Sequence, residues 1–383
     1  MSSTKAAPGP LAHQPMGHLP VLDGLRGMAI AFVVGVHLYA PVFSGGNSGV
    51  DLFFVLSGFL ITKLALEEAD RTGGLSLAQF YMRRLFRIFP ALFVMLAFLL
   101  VASFTFMSDV GNSLRREIML SGASMGNLWP VFYGFEPRGA LGHTWSLGIE
   151  EQFYLVWPFI LFISSLAFRN TRRFAAWVAG VTIAAALITR VAVVGIIDYP
   201  HWVSIPFFDF DGLALGCLLA MVLHTDDKGR WLRVPNWLFA LAAAVVMSDL
   251  FAARAYVDHD RFGLRSPVLR VAFAVILAAF LLRPTSQLSA PFRTSPMRML
   301  GRLSYSLYLW HLPIFTIFSS ERFPDISHVV LVVTKVSLSV AASLLSYYFV
   351  ERPAIEYGRR LRERRRAARV PEPSPSVSTE SAP

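Results

Sequence analysis

The chain has 383 residues, of which 55% are hydrophobic and only 16% are charged. An average soluble domain carries about 25% charged residues, so a soluble globular protein, a disordered chain and a coiled coil are all excluded. The net charge of +10 is typical of a membrane protein with Lys- and Arg-rich cytoplasmic loops, and we expect no nucleic-acid partner. A single cysteine, Cys217, rules out an intrachain disulfide and a cysteine-based metal site. The composition predicts an all-α polytopic membrane protein.

Apolar segments long enough to cross a bilayer recur along the chain. Ten of them are predicted to span the membrane, at 24–43, 50–66, 88–107, 147–168, 174–197, 205–223, 236–252, 266–282, 303–318 and 329–349. An eleventh segment, 118–133, is shorter and rich in small and polar residues, which favours an interfacial or re-entrant segment. Ten spans with both termini in the cytoplasm place 24 of the 35 Lys and Arg residues on the cytoplasmic side and seven outside, as the positive-inside rule requires.

The two ends of the chain are polar. Residues 1–19 contain several prolines and lack the short apolar stretch of a cleavable signal. Residues 356–383 begin with a basic segment suited to an anionic membrane face and end in a Pro- and Ser-rich stretch that we expect to be disordered. We therefore expect one membrane domain at 20–355, between two tails, in a multi-pass protein of the cell membrane.

Ionisable residues inside a span are costly and indicate a partner or a function. The first predicted span carries Arg26 and His37, and eleven helical steps place both on one face, about 16 Å apart along the axis. Arg26 is expected near the cytoplasmic end and His37 near mid-membrane. A neutral imidazole can act as a base and a guanidinium can bind a phosphate or carboxylate. The alternative is that Arg26 snorkels to the interface and His37 makes a structural hydrogen bond.

The sequence motif 49–60 contains a carboxylate, Asp51, at the start of the second predicted span. One interpretation is that Asp51 orients His37 and stabilises its charged form, as in catalytic carboxylate–imidazole pairs. The other is that Asp51 caps the N-terminus of the helix. Ser57 and Gly58 follow in the same motif, where small residues also allow two helices to pack closely.

A basic cluster at 83–87 precedes the third span. Arg84 and Arg87 lie three residues apart, on one helical face, and are suited to gripping the phosphates of an anionic cofactor. On sequence alone, ordinary anchoring at the cytoplasmic interface explains the same cluster more simply.

A fourth cluster, 143–154, brings two adjacent carboxylates into an apolar span. Glu150 and Tyr154 share one helical face, whereas Glu151 points about 100° away. The cost of burying a carboxylate argues against a purely structural role for both. Two further site candidates begin the cluster: His143 and Trp145.

Together these clusters resemble the acyltransferase 3 family of bacterial membrane O-acyltransferases. Two later phrases, 301–311 with His311 at its end and 349–353, extend the resemblance to about residues 20–355. One such motif is weak evidence, but six in the same order are specific. The resemblance implies a ten-span module that moves acyl groups, often acetyl, from cytoplasmic acyl-CoA to hydroxyl groups of surface sugars, peptidoglycan or secreted small molecules.

The resemblance also implies roles for particular residues. Its Arg-x10-His motif falls on Arg26 and His37, and its Arg-x-x-Arg motif falls on Arg84 and Arg87. The predicted catalytic residues are His37, Arg26, Asp51 and Glu150, and the predicted acyl-CoA-binding residues are Arg84 and Arg87. The remaining motif residues are Ser57, His143, Trp145, Glu151, Tyr154 and His311. We expect no metal and no permanently bound cofactor, because acyl-CoA is a donor substrate.

The sequence therefore predicts a membrane O-acyltransferase that acts on a carbohydrate, with a surface polysaccharide, lipopolysaccharide or other glycan as the first choice. A secondary metabolite such as a glycosylated antibiotic is an alternative acceptor, because about 30 residues follow Pro353 and we expect no fused esterase-like domain. A proton-coupled transporter is the alternative from another class, since intramembrane His, Arg and Glu also suit a transport pathway. A membrane scaffold without chemistry is a third possibility.

Overall fold

A computed structural model describes residues 19–39, 42–134, 139–167, 171–193, 208–225, 233–252 and 265–367. Residues 1–18 and 368–383, which include most of the two predicted tails, lie outside the described residues. So do the ends of several predicted spans, among them 194–197 and 205–207.

The described residues form helices joined by turns and short 3-10 segments, without a strand. In chain order the helices are α1 (Pro20–Tyr39), α2 (Ser48–Thr72), α3 (Leu77–Ala102), α4 (Gly111–Gly122), α5 (Trp129–Tyr133), α6 (Thr144–Ala167), α7 (Thr171–Val193), α8 (Phe210–Thr225), α9 (Asn236–Ala252), α10 (Arg265–Leu282), α11 (Ser295–Ile317), α12 (His328–Ser346) and α13 (Arg352–Ala367). The predicted all-α fold is confirmed.

Within the described residues, seven helices are long and apolar enough to cross a membrane: α1, α2, α3, α6, α7, α10, and α12 with its continuation into α13. Two shorter apolar helices, α8 and α9, coincide with the predicted spans 205–223 and 236–252. The predicted span 303–318 corresponds to the second half of α11. A multi-pass membrane architecture is therefore supported, and the count of ten spans stays a prediction.

The segment 118–133 is not one long helix. It contains the end of α4, a 3-10 turn at Gly126–Leu128 and the short helix α5. Gln152 on α6 fixes this connection, because its amide nitrogen donates to the Asn127 side-chain oxygen at 2.9 Å and to the Ser124 carbonyl at 3.1 Å. The segment thus lies over the beginning of α6.

The basic segment after residue 355 is part of a helix that packs on the bundle. A one-turn π-helix, Tyr347–Glu351, joins α12 directly to α13, so the predicted domain boundary at 355 falls inside a helix. The Tyr357 ring lies 5.5 Å from the Phe86 ring of α3. Gly358 is buried against the same ring, where an added Cβ would come within 3.0 Å of Phe86 atoms. The described part of the basic segment, up to Ala367, therefore belongs to the folded domain.

Helices α2 and α8 approach so closely that only glycine fits at two points of their contact. A Cβ added at Gly58 would overlap the carbonyl oxygen of Leu213, and a Cβ added at Gly216 would overlap the carbonyl oxygen of Val55. Close packing of small residues is a main source of helix association in membranes, where apolar side chains gain little by leaving lipid. The sequence interpretation of Gly58 as a packing residue is confirmed.

We expect Gly58→Ala to separate α2 from α8 and to lower stability by about 1–3 kcal/mol, because the clash is with backbone and not with a flexible side chain. The measurement is the midpoint of thermal unfolding of the detergent-solubilised protein. The matched control is Gly180→Ala on α7, where an added Cβ meets nothing within 4 Å, and where alanine favours the helix by up to about 1 kcal/mol. Equal midpoints for the two variants would contradict this account of the α2–α8 contact.

Candidate functional site

Two cavities are lined by opposite ends of the same helices. The first, which we call the basic cavity, has a volume of about 410 Å³ and is lined by Arg26, Arg84, Arg87 and Arg362, among others. The second, which we call the histidine cavity, has a volume of about 1030 Å³, and His37 and His143 are part of its lining. Arg26 and His37 therefore share one helix but face two different cavities.

The basic cavity presents guanidinium groups that have no carboxylate at salt-bridge distance in the described part of the chain. This holds for Arg26, Arg84 and Arg87. Their neighbour Arg83 differs, because it donates to the Glu68 carboxylate at 2.6 Å. Unpaired guanidinium groups in a cavity are suited to an anionic ligand, above all one with phosphates. The predicted pair Arg84 and Arg87 is thus brought together with Arg26.

Glu150 also lines the basic cavity, where hydrogen bonds fix its carboxylate. The Ser57 hydroxyl donates to Oε1 at 3.2 Å, and the Tyr154 hydroxyl donates to Oε2 at 3.1 Å. The Arg84 guanidinium lies over the Tyr154 ring, 3.8 Å from its centre. The predicted shared face of Glu150 and Tyr154 is confirmed. Glu151 points elsewhere, and its buried Oε1 has no hydrogen-bond partner among the described residues.

Glu351 is a residue of this end of the bundle to which sequence reasoning assigned no role. The π-helical turn that ends at Glu351 buries its carboxylate, and the Ser306 hydroxyl donates to Oε2 at 2.8 Å. Arg87 and Arg26 interact electrostatically with this carboxylate. A carboxylate within the phrase 349–353, directly after an apolar span, was the signal that could have identified it.

Three imidazole rings meet beside the histidine cavity. The His311 ring lies 5.1 Å from the His37 ring and 5.1 Å from the His143 ring. His143 and His311 are buried, whereas His37 is exposed to the cavity. Trp145 lines the same cavity. His37 lies in the last turn of α1, and its position near mid-membrane stays a prediction.

Backbone carbonyl groups define the tautomers of two of these rings. Nδ1 of His37 lies 2.8 Å from the Val33 carbonyl oxygen, and Nδ1 of His311 lies 2.7 Å from the Tyr308 carbonyl oxygen. Because a carbonyl oxygen only accepts, Nδ1 carries the proton in both rings. In the neutral form this leaves Nε2 of His37 and of His311 with a free lone pair. His311 Nε2 is buried without a hydrogen-bond partner among the described residues.

The predicted pair of Asp51 with His37 is not formed. The Asp51 carboxylate accepts instead from Nε of Arg270 at 2.6 Å, although both Asp51 and His37 line the histidine cavity. A buried guanidinium attracts a carboxylate more strongly than a neutral imidazole does, since ion pairing offsets the cost of burying both charges. The tautomer of His37 is fixed by Val33 and not by Asp51.

Arg270 is the centre of a buried charge network that sequence reasoning missed. Besides Asp51, its guanidinium donates to Asp209 at 2.5 Å and to Asp211. Arg190 of α7 lies 3.5 Å from the Asp211 carboxylate. The network connects α2, α7, α8 and α10. Its signal in the sequence was present, because charged residues within predicted spans are unusual.

Tyr308 lines both cavities. It is the only one of the described lining residues that faces both of them. Its hydroxyl lies 2.6 Å from the Ser146 hydroxyl and donates to the His143 carbonyl oxygen at 2.5 Å. A phenol has one proton and a carbonyl only accepts, so Ser146 is the donor in the first of these bonds. The Tyr308 ring also contacts the His143 ring, at 5.0 Å between centres.

The rim of the histidine cavity carries an exposed ion pair. Arg322 donates to both carboxylate oxygens of Asp109, at 2.7 and 2.6 Å. These hydrogen bonds hold the pKa of Asp109 below its usual range. Arg322 also donates to the Phe106 carbonyl at 3.1 Å, so the pair connects the loop after α3 to the loop after α11.

Among the described residues, no group of three or more His, Cys, Asp or Glu side chains is placed to hold a metal ion. The three clustered histidines pack ring against ring, and two of them direct Nδ1 to their own helix backbone. Their chemistry is therefore that of neutral imidazoles, which can accept a proton or attack a carbonyl carbon.

We expect Arg270→Met to be strongly destabilising, by about 3–5 kcal/mol, because it leaves Asp51 and Asp209 without their cation and Asp211 with Arg190 alone. The thermal unfolding midpoint in detergent measures the loss. The control is Arg322→Met, which breaks an exposed pair and should change the midpoint little. Adding Asp51→Asn and Asp209→Asn to Arg270→Met should recover part of the loss. A variant Arg270→Met as stable as Arg322→Met would show that the network does not hold these helices together.

The fold and the site together define an all-α, multi-pass membrane protein with an arginine-lined cavity at one end of its bundle and imidazoles at the other. The acyltransferase domain of the acyltransferase 3 family matches residues 19–348. The chain therefore belongs to the acyltransferase 3 family, as the sequence resemblance implied.

Two relatives illustrate the similarity. The peptidoglycan O-acetyltransferase OatA of Listeria monocytogenes is 31% identical over 351 residues, which cover 89% of this chain and 56% of the relative. The O-acetyltransferase OatA of Staphylococcus aureus is 29% identical over 362 residues, covering 89% of this chain and 58% of the relative. The chain thus spans a little over half the length of these relatives. No solved structure matches the chain.

Proposed function

We propose that this chain is a membrane O-acetyltransferase of the cell membrane, which moves an acetyl group from acyl-CoA to a hydroxyl group of a carbohydrate. The observation that carries the proposal is the pair of cavities that meet at Tyr308, one lined by unpaired arginines and the other by imidazoles. Membership of the acyltransferase 3 family and the printed activity of the relatives support it.

The basic cavity is the proposed donor site. It lies at the end of the bundle that we expect, from the charge distribution, to face the cytoplasm, where acyl-CoA is available. Arg84, Arg87 and Arg26 would bind the phosphates by charge-assisted hydrogen bonds. The acyl arm would then run along the cavity toward Tyr308. Glu150 is held by Ser57 and Tyr154 on the cavity wall, so we assign it to the positioning of these groups around the donor.

The histidine cavity is the proposed acceptor side. In the reaction, Nε2 of His37 takes the proton of the acceptor hydroxyl while that oxygen attacks the thioester carbonyl carbon. The C–S bond breaks, and coenzyme A leaves as the thiol after taking up the proton. In the other route Nε2 attacks the thioester carbon first and the C–S bond breaks, so that coenzyme A leaves as the thiolate. The acceptor hydroxyl oxygen then attacks the acyl carbon, the C–N bond breaks, and the hydroxyl proton passes to the thiolate. Both routes need the lone pair that the Val33 hydrogen bond leaves on Nε2.

The acceptor would be a polar molecule. The histidine cavity, at about 1030 Å³, is lined by charged side chains as well as imidazoles, among them Asp209, Arg270 and Lys335. Such a lining fits a hydroxyl-rich carbohydrate, as in a surface polysaccharide, lipopolysaccharide or peptidoglycan. A glycosylated secondary metabolite has the same chemistry and is the alternative acceptor. Comparing acetyl transfer to soluble glycan fragments and to glycosylated small molecules distinguishes them.

We expect Arg84→Ala/Arg87→Ala to weaken binding of acetyl-CoA, with each lost contact costing on the order of 1–3 kcal/mol. The affinity of the purified protein for acetyl-CoA measures the effect. The charge-matched control is Arg298→Ala/Arg302→Ala on α11, which removes two cations outside the lining of the basic cavity. Equal affinity for acetyl-CoA in both double variants would show that Arg84 and Arg87 serve only as membrane anchors.

We expect His37→Gln to lower acetyl transfer by roughly a hundredfold or more, because glutamine has no basic nitrogen. Binding of acetyl-CoA should be unchanged, since His37 lies outside the basic cavity. The readout is release of coenzyme A thiol together with transfer of labelled acetyl to a glycan acceptor. Wild-type transfer by His37→Gln would show that the catalytic assignment is wrong.

The same assay tests the alternative of a proton-coupled transporter, for which two cavities at opposite ends are also suited. A transporter moves a solute without breaking the thioester. The transporter hypothesis would replace the enzyme hypothesis on one result. The purified wild-type protein would leave acetyl-CoA intact in the presence of glycan acceptors but move a solute into liposomes.

A further inference from the structure

We propose that Tyr308 is the barrier between the two cavities, and that its displacement opens a continuous passage through the bundle. The identity of the group that passes Tyr308 rests on the proposed function. In that function an acyl group passes Tyr308, while the anionic part of the donor stays bound to the arginines. The barrier itself is a property of the structure and does not depend on any activity.

Four helices contribute to both cavity linings, and on three of them the lining changes within one or two residues. On α1 the lining passes from the basic cavity at Arg26 to the histidine cavity at Val33, and on α2 it passes in the other direction between Asp51 and Phe53. On α6 the change falls between Trp145 and Ser146, and on α11 it falls at Tyr308 itself. The layer between the cavities is therefore thin on α2, α6 and α11, at most two residues along each helix, and thicker on α1, where seven residue steps lead from Arg26 to Val33.

Hydrogen bonds and ring contacts hold Tyr308 in that layer. Its hydroxyl accepts from Ser146 at 2.6 Å and donates to the His143 carbonyl at 2.5 Å, so it ties α11 to the beginning of α6. Phe53 of α2 lies 6.5 Å from the Tyr308 ring, on the side of the basic cavity, and His143 lies 5.0 Å away on the other side. Both hydrogen bonds depend on the phenolic oxygen and are lost when the ring rotates out of the layer.

A closed barrier also fits the electrostatics of the site. The basic cavity is suited to the multiply charged end of a donor, and the histidine cavity holds neutral imidazoles in a fixed tautomer. With its side chain in place, Tyr308 keeps ions and water from connecting the two ends of the bundle. When the side chain is displaced, a small uncharged group can pass. Tyr308 is thus a positioning residue, since it acts by separating the two half-sites.

Thiol labelling measures the barrier without any acyl donor. In a Cys217→Ser background, Ser57→Cys places a thiol in the basic cavity, and Ser319→Cys places one in the histidine cavity. A membrane-impermeant methanethiosulfonate reagent is added to the outside of intact cells or right-side-out vesicles. We expect it to label Ser319→Cys and to leave Ser57→Cys unlabelled while Tyr308 is present.

We expect Tyr308→Ala to expose Ser57→Cys to the outside reagent, with a labelling rate at least about tenfold higher. Tyr308→Phe keeps the ring and removes both hydrogen bonds of the hydroxyl, so a smaller rise, of about fivefold, is expected. This second variant keeps the test valid if the alanine variant does not fold. The matched control is Tyr305→Ala, one turn earlier on α11, which lines the basic cavity alone and should leave Ser57→Cys protected.

Two outcomes overturn the proposal. One is outside labelling of Ser57→Cys at the rate of Ser319→Cys with Tyr308 intact, because the cavities would then be connected already. The other is continued protection of Ser57→Cys in folded Tyr308→Ala and Tyr308→Phe, because the barrier would then lie elsewhere. Neither outcome bears on acetyl transfer, so a failure of the proposed function and a failure of the barrier remain distinguishable.

Discussion

Charge inside a membrane-spanning bundle must be paired or must face a cavity, and this constraint organises the whole arrangement. Arg270 satisfies this constraint because it forms ion pairs with aspartates of α2, of the turn before α8 and of α8 itself. The close contact of α2 and α8, which only glycine permits at Gly58 and Gly216, brings those carboxylates within reach. One wall of the histidine cavity is thus formed by Arg270 and aspartates that pair with it. The imidazoles beside it have no carboxylate partner among the described residues, and backbone carbonyls accept from Nδ1 of His37 and His311.

The same constraint explains why the charged residues fall into separate groups. Arg26, Arg84 and Arg87 are not paired with carboxylates at salt-bridge distance in the described residues, and they are tolerated because they face a cavity. His37 and His311 need no counter-ion because backbone carbonyls satisfy Nδ1. An anionic ligand is therefore attracted to one end of the bundle, whereas the other end offers lone pairs. The two groups differ because a buried guanidinium stays charged and needs an anion or water, whereas a neutral imidazole needs only hydrogen-bond partners.

Local geometry was predictable from the sequence, and long-range pairing was not. Helical periodicity correctly placed Glu150 and Tyr154 on one face, since the two positions are only four residues apart. The pairing of Asp51 with Arg270 joins positions 219 residues apart, and the contact of Tyr308 with Ser146 joins positions 162 apart. No pattern within a single helix reports such contacts, because they depend on how helices pack. Nearness of Asp51 to the first span therefore suggested the wrong partner.

The arginines at the end of the bundle that we expect to face the cytoplasm had two interpretations in the sequence, membrane anchoring and phosphate binding, and these do not exclude each other. Positive residues fix the orientation of a membrane protein by remaining on the cytoplasmic side. A donor that is anionic and cytoplasmic meets the protein at that same end. Packing of α13 on α3 brings Arg362 to the cavity already lined by Arg84 and Arg87, so residues that set the topology also form the proposed donor site. In the proposed function, the positive charge that orients the chain also recognises the donor, and the imidazoles proposed to react lie on the other side of Tyr308.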